Sequence, residues 1–226
     1  MQVNKDTVVC GSFAGEAGNT GATMFNAAFE RLQMNWIYKP FSVTNIEAAL
    51  DSMLTLNIRG AGITMPFKEE AAFVVAEYGR LSGVAKDIQS VNTVTNTNGK
   101  LVGYNTDYVA AKKILEPHRG KLLTILGCGG LAAAVNRAAR YVGMGMIWHI
   151  TRDNWHDIAS TDTGVVFNCT PVKAKDIPAH PKVYFIDCDV NSETGRELAM
   201  LQAAEQFKIY TGLEFPATPE GAKCLR

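Results

Sequence analysis

A lysine stands where a helix is about to begin. Thr64-Met65-Pro66-Phe67-Lys68-Glu69-Glu70 follows the strand-like run "RGAGI" and precedes "AAFVVAEY". The helix macrodipole disfavours a cation at that end, and Glu69 and Glu70 offset the cost if all three side chains are solvated. In that setting Lys68 is an ordinary surface residue. Partly buried against a cleft, a lysine at a helix start yields its proton more readily than one in water. It can then protonate a developing alkoxide and recover the proton in reverse. Asp107 in "NTDYVAAKKILE" is a second candidate, although Asn-Thr-Asp is also a good helix-start sequence. Periodicity alone does not bring the two together.

The third chemical feature is "LLTILGCGGLAAAVNRAARYVG". An apolar strand runs straight into Gly127-Cys128-Gly129-Gly130-Leu131-Ala132, and a helix opens from it. This is G-x-G-x-x-A in the strand-turn-helix setting that a dinucleotide fingerprint needs. Gly127 permits the tight turn, Gly129 lets backbone approach a pyrophosphate, and Ala132 keeps helix and strand close. The N–H groups at the helix start then face the phosphates. Thr151-Arg152-Asp153-Asn154 follows the next strand, "MIWHIT". Arg152 suits a 2′-phosphate and hence NADP, whereas Asp153 suits the 2′-hydroxyl of NAD. Asp153 or Asn154 as a cap for the next helix is the plain alternative.

These residues need elements to carry them, and the chain alternates short apolar segments with amphipathic ones, as α/β proteins do. "DTVVCGS" reads as a strand, "ATMFNAAFERLQM" as a helix, and "WIYKPFSV" as a strand stopped by Pro40. Thr44 and Glu47 form a capping-box pattern for the helix that follows. Pro66 ends the strand "RGAGITM" and suits the first position of the next helix, where Phe67, Ala71, Val74 and Tyr78 recur at helical spacing. "NTNGK" between Val94 and Leu101 predicts a hairpin. Pro117 ends the helix that starts at Asn105, Thr106 and Asp107.

The totals exclude several classes. Twenty-two basic residues balance 22 acidic ones in 226 residues, so nothing points to nucleic acid or an anionic membrane. No apolar run approaches the ~18 residues of a membrane span, and "MQVNKDTVVCGS" lacks a secretory signal's apolar stretch. Cys10, Cys128, Cys169, Cys188 and Cys224 are dispersed without metal-ligand spacing, which predicts reduced thiols, a cytoplasmic location and no structural metal.

"GAGITMPFKEEA", "SVNTV" and "GYNTDY", in this order and followed by "GCGGLA", resemble the shikimate dehydrogenase family. "NAAFERL", "VFNCTP" and "LQAAEQFKIYTG" extend the resemblance over nearly the whole chain. It implies two α/β domains with the active site in the cleft between them: a substrate domain at 1–104 and a shortened Rossmann-type domain at 105–194. A C-terminal segment at 195–226 returns to the first domain. It also implies an NADP-dependent reduction of a ring ketone in a small hydroxylated cyclic carboxylate, of the shikimate pathway type. In that scheme Lys68 is the catalytic lysine and Asp107 its partner. Thr64, Asn92 and Gln202 hold the substrate, and Thr170 joins the glycine turn, Thr151, Arg152 and Asp153 at the cofactor.

Three departures place the chain nearer to the divergent shikimate dehydrogenase-like branch. The usual Ser-x-Ser carboxylate clamp falls at Asn19-Thr20-Gly21, with Phe25 where histidine is usual, leaving Ser12, Asn19 and Thr20 as stand-ins. A family tyrosine has its nearest counterpart at Asp189, whose charge would oppose an anionic substrate. Only "DNWHDIASTDTG" separates Arg152 from "VVFNCTP", where the family fits a helix and a strand. An uncovered strand edge there suits either a monomer or a homodimer. Quinate or aminated shikimate as substrate, or a non-catalytic ligand sensor, are the alternatives.

Overall fold

The strand-helix alternation is realised twice. The computed structural model describes residues 3–162 and 164–216, and the chain divides into two units, Met1–Thr106 with Ala203–Arg226, and Asp107–Gln202.

The first unit contains β1 (Val8–Ala14), α1 (Thr20–Arg31), β2 (Trp36–Ser42), α2 (Ile46–Thr55), β3 (Gly60–Ile63), α3 (Lys68–Tyr78), β4 (Gly79–Leu81), α4 (Gly83–Ile88), β5 (Thr93–Thr97) and β6 (Lys100–Tyr104). Its sheet runs β2-β1-β3-β5-β6-β4. β1 is parallel to both neighbours, and β5 is antiparallel to β3 and β6. Period-two alternation sends Val9 and Phe13 to a core with Leu50, Met53, Val75 and Val94. Phe25, Phe29 and Tyr38 instead pack with Phe207 and Tyr210.

Three local expectations are corrected. Pro40 does not stop its strand; β2 runs on to Ser42. β2 is an edge strand, with the Val43 N–H turned inward to Ala14 and the Tyr38 N–H outward to Asn26. Pro40 shares the outward set with Tyr38, so its missing N–H costs the ladder nothing. The cap of α2 is Asn45, whose Oδ1 accepts from the Ala48 N–H at 2.9 Å, and not Thr44. Pro66 is not the first residue of α3. It lies in a turn after β3, on a cis Met65–Pro66 peptide, and Lys68 opens the helix. The Asn98-Gly99 hairpin forms as expected, with φ of 53° and 76°.

The second unit contains β7 (Leu123–Leu126), α6 (Gly130–Val142), β8 (Ile147–Ile150), β9 (Val165–Asn168) and β10 (Tyr184–Asp187), preceded by α5 (Thr106–Leu115). α7 (Glu193–Thr211) follows, its residues from Ala203 onward clustering with the first unit. All four strands are parallel, in the order β10-β9-β7-β8. One core joins Ile125, Val135, Ala139, Phe167 and Ile186. A smaller one joins Leu126, Ile150, Ile158 and Val166 with Trp155. Trp155 and Ile158 belong to a 3-10 turn (Trp155–Ser160) between β8 and β9. They pack on β7, β8 and β9, and β8 is an edge of the sheet.

Candidate active site

The turn carrying Lys68 is held from several directions. The Thr64 N–H donates to Phe13 O at 3.1 Å, and the Gly15 N–H to Met65 O at 3.2 Å, so the two residues leading into Pro66 are tied to the end of β1. The Phe67 N–H closes the turn on Thr64 O at 3.0 Å. Phe67 is buried while Thr64 is exposed and Lys68 half-buried. The Lys68 carbonyl accepts from the Val91 N–H at 2.9 Å, which binds the start of α3 to the approach to β5.

Asn92 is the hub beside it. Its carbonyl accepts from the Ile63 N–H at 2.7 Å, and its side-chain Oδ1 accepts from the Thr106 N–H at 2.7 Å and from the Thr93 hydroxyl at 2.9 Å. Its amide donates to Thr106 Oγ1 at 2.9 Å. Asn92 therefore supplies an acceptor for one of the backbone N–H groups at the start of α5 that lack a helical partner. Asp107 is the next residue, in the first turn and 4% exposed. Asn105 anchors the same entry through its amide, which donates to Ser90 O at 3.0 Å.

Sequence reading missed two members of this region. Gln206 is 7% exposed, and its Nε2 donates to Thr93 Oγ1 at 3.1 Å and Asn92 O at 3.3 Å. It lies one turn beyond Gln202 on α7, and that spacing in "LQAAEQF" was its only signal. Tyr38 is the other: its phenol is hydrogen-bonded to Ser12, and burial pushes its pKa well above the ordinary range. A Cβ on Gly62 would stand 3.2 Å from the Tyr38 hydroxyl and 3.5 Å from Gln206 Nε2, so glycine there makes room for both polar ends. Asn19 and Thr20 are exposed at the start of α1, where Asn19 is the cap residue without a side-chain capping bond. Its carbonyl accepts from the Thr23 N–H at 3.0 Å.

In the second unit the glycine turn has the shape its sequence requires. Gly127 has φ of +104°, a conformation that side chains resist, and a Cβ there would meet Thr170 Cγ2 at 3.1 Å. Around Gly129 a Cβ would meet nothing within 4 Å, so that flank is clear. Gly130 and Leu131 open α6, and Ala132, 2% exposed, seats it on the strand. Thr151 follows β8 beside this turn, since Gly127 N–H donates to Ile150 O at 2.8 Å. Arg152 and Asp153 are exposed. The helix-cap alternative holds in part: Asn154 stands at the cap position of the 3-10 helix Trp155–Ser160, with its carbonyl accepting from the Asp157 N–H at 3.0 Å, but its side chain turns back to accept from the Thr151 N–H at 2.8 Å. Thr170 is fixed by Asn168, whose Oδ1 accepts from its N–H at 3.0 Å and its hydroxyl at 2.7 Å. Asp189 is paired with Lys173 at 2.8 Å, which with Asn191 holds its carboxyl down at about 2. The anion expected to repel a substrate is thus partly neutralised.

Comparison with known proteins places the chain in a family. The description "Shikimate dehydrogenase substrate binding domain" matches residues 20–94. A shikimate dehydrogenase-like protein of Haemophilus influenzae is 39% identical over 144 residues, 62% of this chain and 52% of its own. The chain spans about half the length of the first curated relatives it matches. A shikimate dehydrogenase (NADP(+)) of Dehalococcoides mccartyi is 33% identical and is covered more fully, 85% of this chain against 86% of its own. That alignment runs over 253 positions, more than the 226 residues here, so it opens gaps in this chain. A solved shikimate 5-dehydrogenase-like protein superimposes with a TM-score of 0.81 at 28% identity, covering 99% of this chain and 98% of the other.

Proposed function

Since this chain belongs to the shikimate dehydrogenase family, we propose that it is an NADP-dependent oxidoreductase reversibly reducing a ring ketone of a small hydroxylated cyclic carboxylate, of the dehydroshikimate and shikimate type. The observation that carries the reading is Lys68 itself: it opens α3, half-buried, on a turn tied to β1 and next to the Asn92 hub.

The glycine turn fits a dinucleotide, with positive φ at Gly127, a clear flank at Gly129 and a helix start at Gly130. A bound nicotinamide supplies the hydride. Gly127, Gly129, Gly130, Leu131 and Ala132 would hold the pyrophosphate, with Thr170 against the turn, and Thr151, Arg152 and Asp153 would face the adenosine ribose. In this reading Arg152 selects NADP.

Lys68 carries the proton at Nζ and gives it to the oxygen of the ketone as negative charge develops there; in the oxidative direction it removes the hydroxyl proton. Asp107 orients that amine and accepts from a neighbouring ring hydroxyl. Thr64, Asn92 and Gln202 fix the remaining hydroxyls so that one ring carbon faces the hydride. Ser12, Asn19 and Thr20 take the carboxylate end, helped by the positive end of α1.

The test is NADPH-dependent reduction of dehydroshikimate by the wild type and by Lys68→Ala. The variant should bind NADPH normally and lose about 10²–10⁴ in kcat, the range of general acid–base catalysis. A variant that keeps most of its turnover eliminates the mechanism. The short β8–β9 connection and the altered first loop favour a second reading, in which the substrate is quinate or an aminated shikimate, or the chain binds without turnover. NADPH binding with no turnover of any of these would favour the sensor. β8 as an open edge supports a homodimer, and a monomer mass in solution would oppose that.

A further inference from the structure

Three cysteines stand at the same end of three adjacent strands in the second unit. Cys128 comes two residues after β7, Cys169 directly after β9 and Cys188 directly after β10. β9 and β10 are parallel and in register up to Asn168 opposite Asp187, which makes Cys169 and Cys188 the next rung. The ladder continues into it, because the Cys188 N–H donates to Asn168 O at 3.2 Å. On the other side of β9, Leu126 pairs with Asn168, so the residue opposite Cys169 is Gly127 and not a thiol.

Neighbouring strands lie about 4.8 Å apart, within the roughly 4.4–6.8 Å between Cα atoms that a disulfide spans. Residues opposite each other on parallel strands send their side chains to one face, and both cysteines pack against the core of Ile125, Phe167 and Ile186. The Cys188 side chain leans toward the continuation of β9, with Sγ 3.6 Å from Thr170 O. Both residues are partly accessible.

We propose that Cys169 and Cys188 are a redox couple that closes reversibly to a disulfide and thereby loosens the Gly127 turn. The link to the turn is short: Cys169 O and Thr170 Cγ2 lie 3.4 Å and 3.1 Å from where a Cβ on Gly127 would stand. A disulfide draws its Cβ atoms to about 3.8 Å, closer than the strand spacing, so closure pulls this wall toward β10. In a reducing compartment the couple rests as two thiols and responds to a shift in poise.

With oxidised glutathione as the oxidant, one cysteine thiolate attacks a glutathione sulfur, forming a mixed disulfide and releasing glutathione thiolate. The second thiolate attacks the protein sulfur of that bond, forming Cys169–Cys188 and releasing the second glutathione. The two protons lost by the protein end on the two glutathione thiolates, so two protein thiols are oxidised and one small disulfide is reduced.

The effect on the turn rests on the cofactor reading above, whereas the bond itself does not. The full chain, equilibrated with oxidised or reduced glutathione, is acid-quenched, alkylated and mapped by peptide mass spectrometry. The expected result is a linked pair of peptides carrying Cys169 and Cys188, lighter by two hydrogens than the reduced pair and restored by dithiothreitol. Linkage through any other cysteine, or none, overturns the couple without requiring any variant to fold. NADPH titrated into the oxidised form should bind about fivefold or more weakly, the lower end of ordinary coupling between sites, and Cys188→Ser should remove that response. Equal affinity in a fully linked sample overturns the action on the turn. Failure of the reduced protein to bind NADPH overturns the cofactor reading instead and leaves the mapped bond to decide the couple.

Discussion

At the scale of single residues, conformation and burial set what each group can do. Gly127 has positive φ and a methyl-sized gap closed by Thr170, so Gly127→Ala should destabilise the protein by about 1–2 kcal/mol and weaken NADPH binding together with it. Urea unfolding and a fluorescence titration read the two effects. Burial pushes the Cys10 thiol up to about 12, so it stays protonated well above neutral pH. Among the described cysteines, a thiol reagent at pH 8 should label exposed Cys128 first in native protein and reach Cys10 only on unfolding. The Lys173–Asp189 pair gives a third reading. A carboxyl lowered to about 2 keeps its charge down through the ordinary carboxylate range, so its benefit is full above that range and is lost as pH falls from there through about 2. Lys173→Gln should raise the Asp189 midpoint toward the ordinary ~3.9, which carboxyl-carbon NMR titration reads directly. An unchanged midpoint would mean that Asn191 alone holds the charge.

Between elements, one buried chain of hydrogen bonds runs from Gln206 on α7 through Thr93 and Asn92 on and before β5 to Thr106 at the head of α5. Its polar groups are within a few per cent of full burial, so each needs its partner. Gln206→Leu keeps the bulk but leaves Asn92 O with one donor fewer and the Thr93 hydroxyl without the amide. The expected loss is about 1–3 kcal/mol in urea unfolding, with an added drop in kcat if Asp107 follows the start of α5. A change below the error of the urea midpoint would show that the chain tolerates a gap there.

For the molecule as a whole, the division into two units separates the tryptophans. Trp36 belongs to the first unit, Trp148 and Trp155 to the second. Single-tryptophan variants can therefore follow the two units independently. NADPH at about 100 times its dissociation constant should stabilise whatever unfolds with its site by ~2.7 kcal/mol. The Trp148 or Trp155 transition should move at least as far as that of Trp36; a shift confined to Trp36 would place the cofactor away from Gly127. No helix among the described residues is long and apolar enough to cross a membrane.

What the sequence determined by itself was local and periodic. The alternation of strands and helices, the Asn98-Gly99 hairpin, the Gly127 turn and the start of a helix near Lys68 all follow from short-range rules, because each depends on a few adjacent residues. Other positions turn on geometry that the local pattern does not contain. Pro40 stays in its strand because β2 is an edge, a fact of sheet order that no window of sequence contains. Asn45 displaces Thr44 as cap because backbone geometry, and not the Thr44 to Glu47 spacing, decides which side chain reaches the Ala48 N–H. The order of motifs, and no property of either residue, is what pairs Lys68 with Asp107 in the proposed mechanism. Gln206 and Tyr38 stayed silent because their roles come from Asn92, Thr93, Ser12 and Gly62, which approach them only once β1, β3, β5 and α7 are assembled. The register that makes Cys169 and Cys188 neighbours is of the same kind: the spacing of two cysteines nineteen residues apart says nothing until β9 and β10 lie side by side.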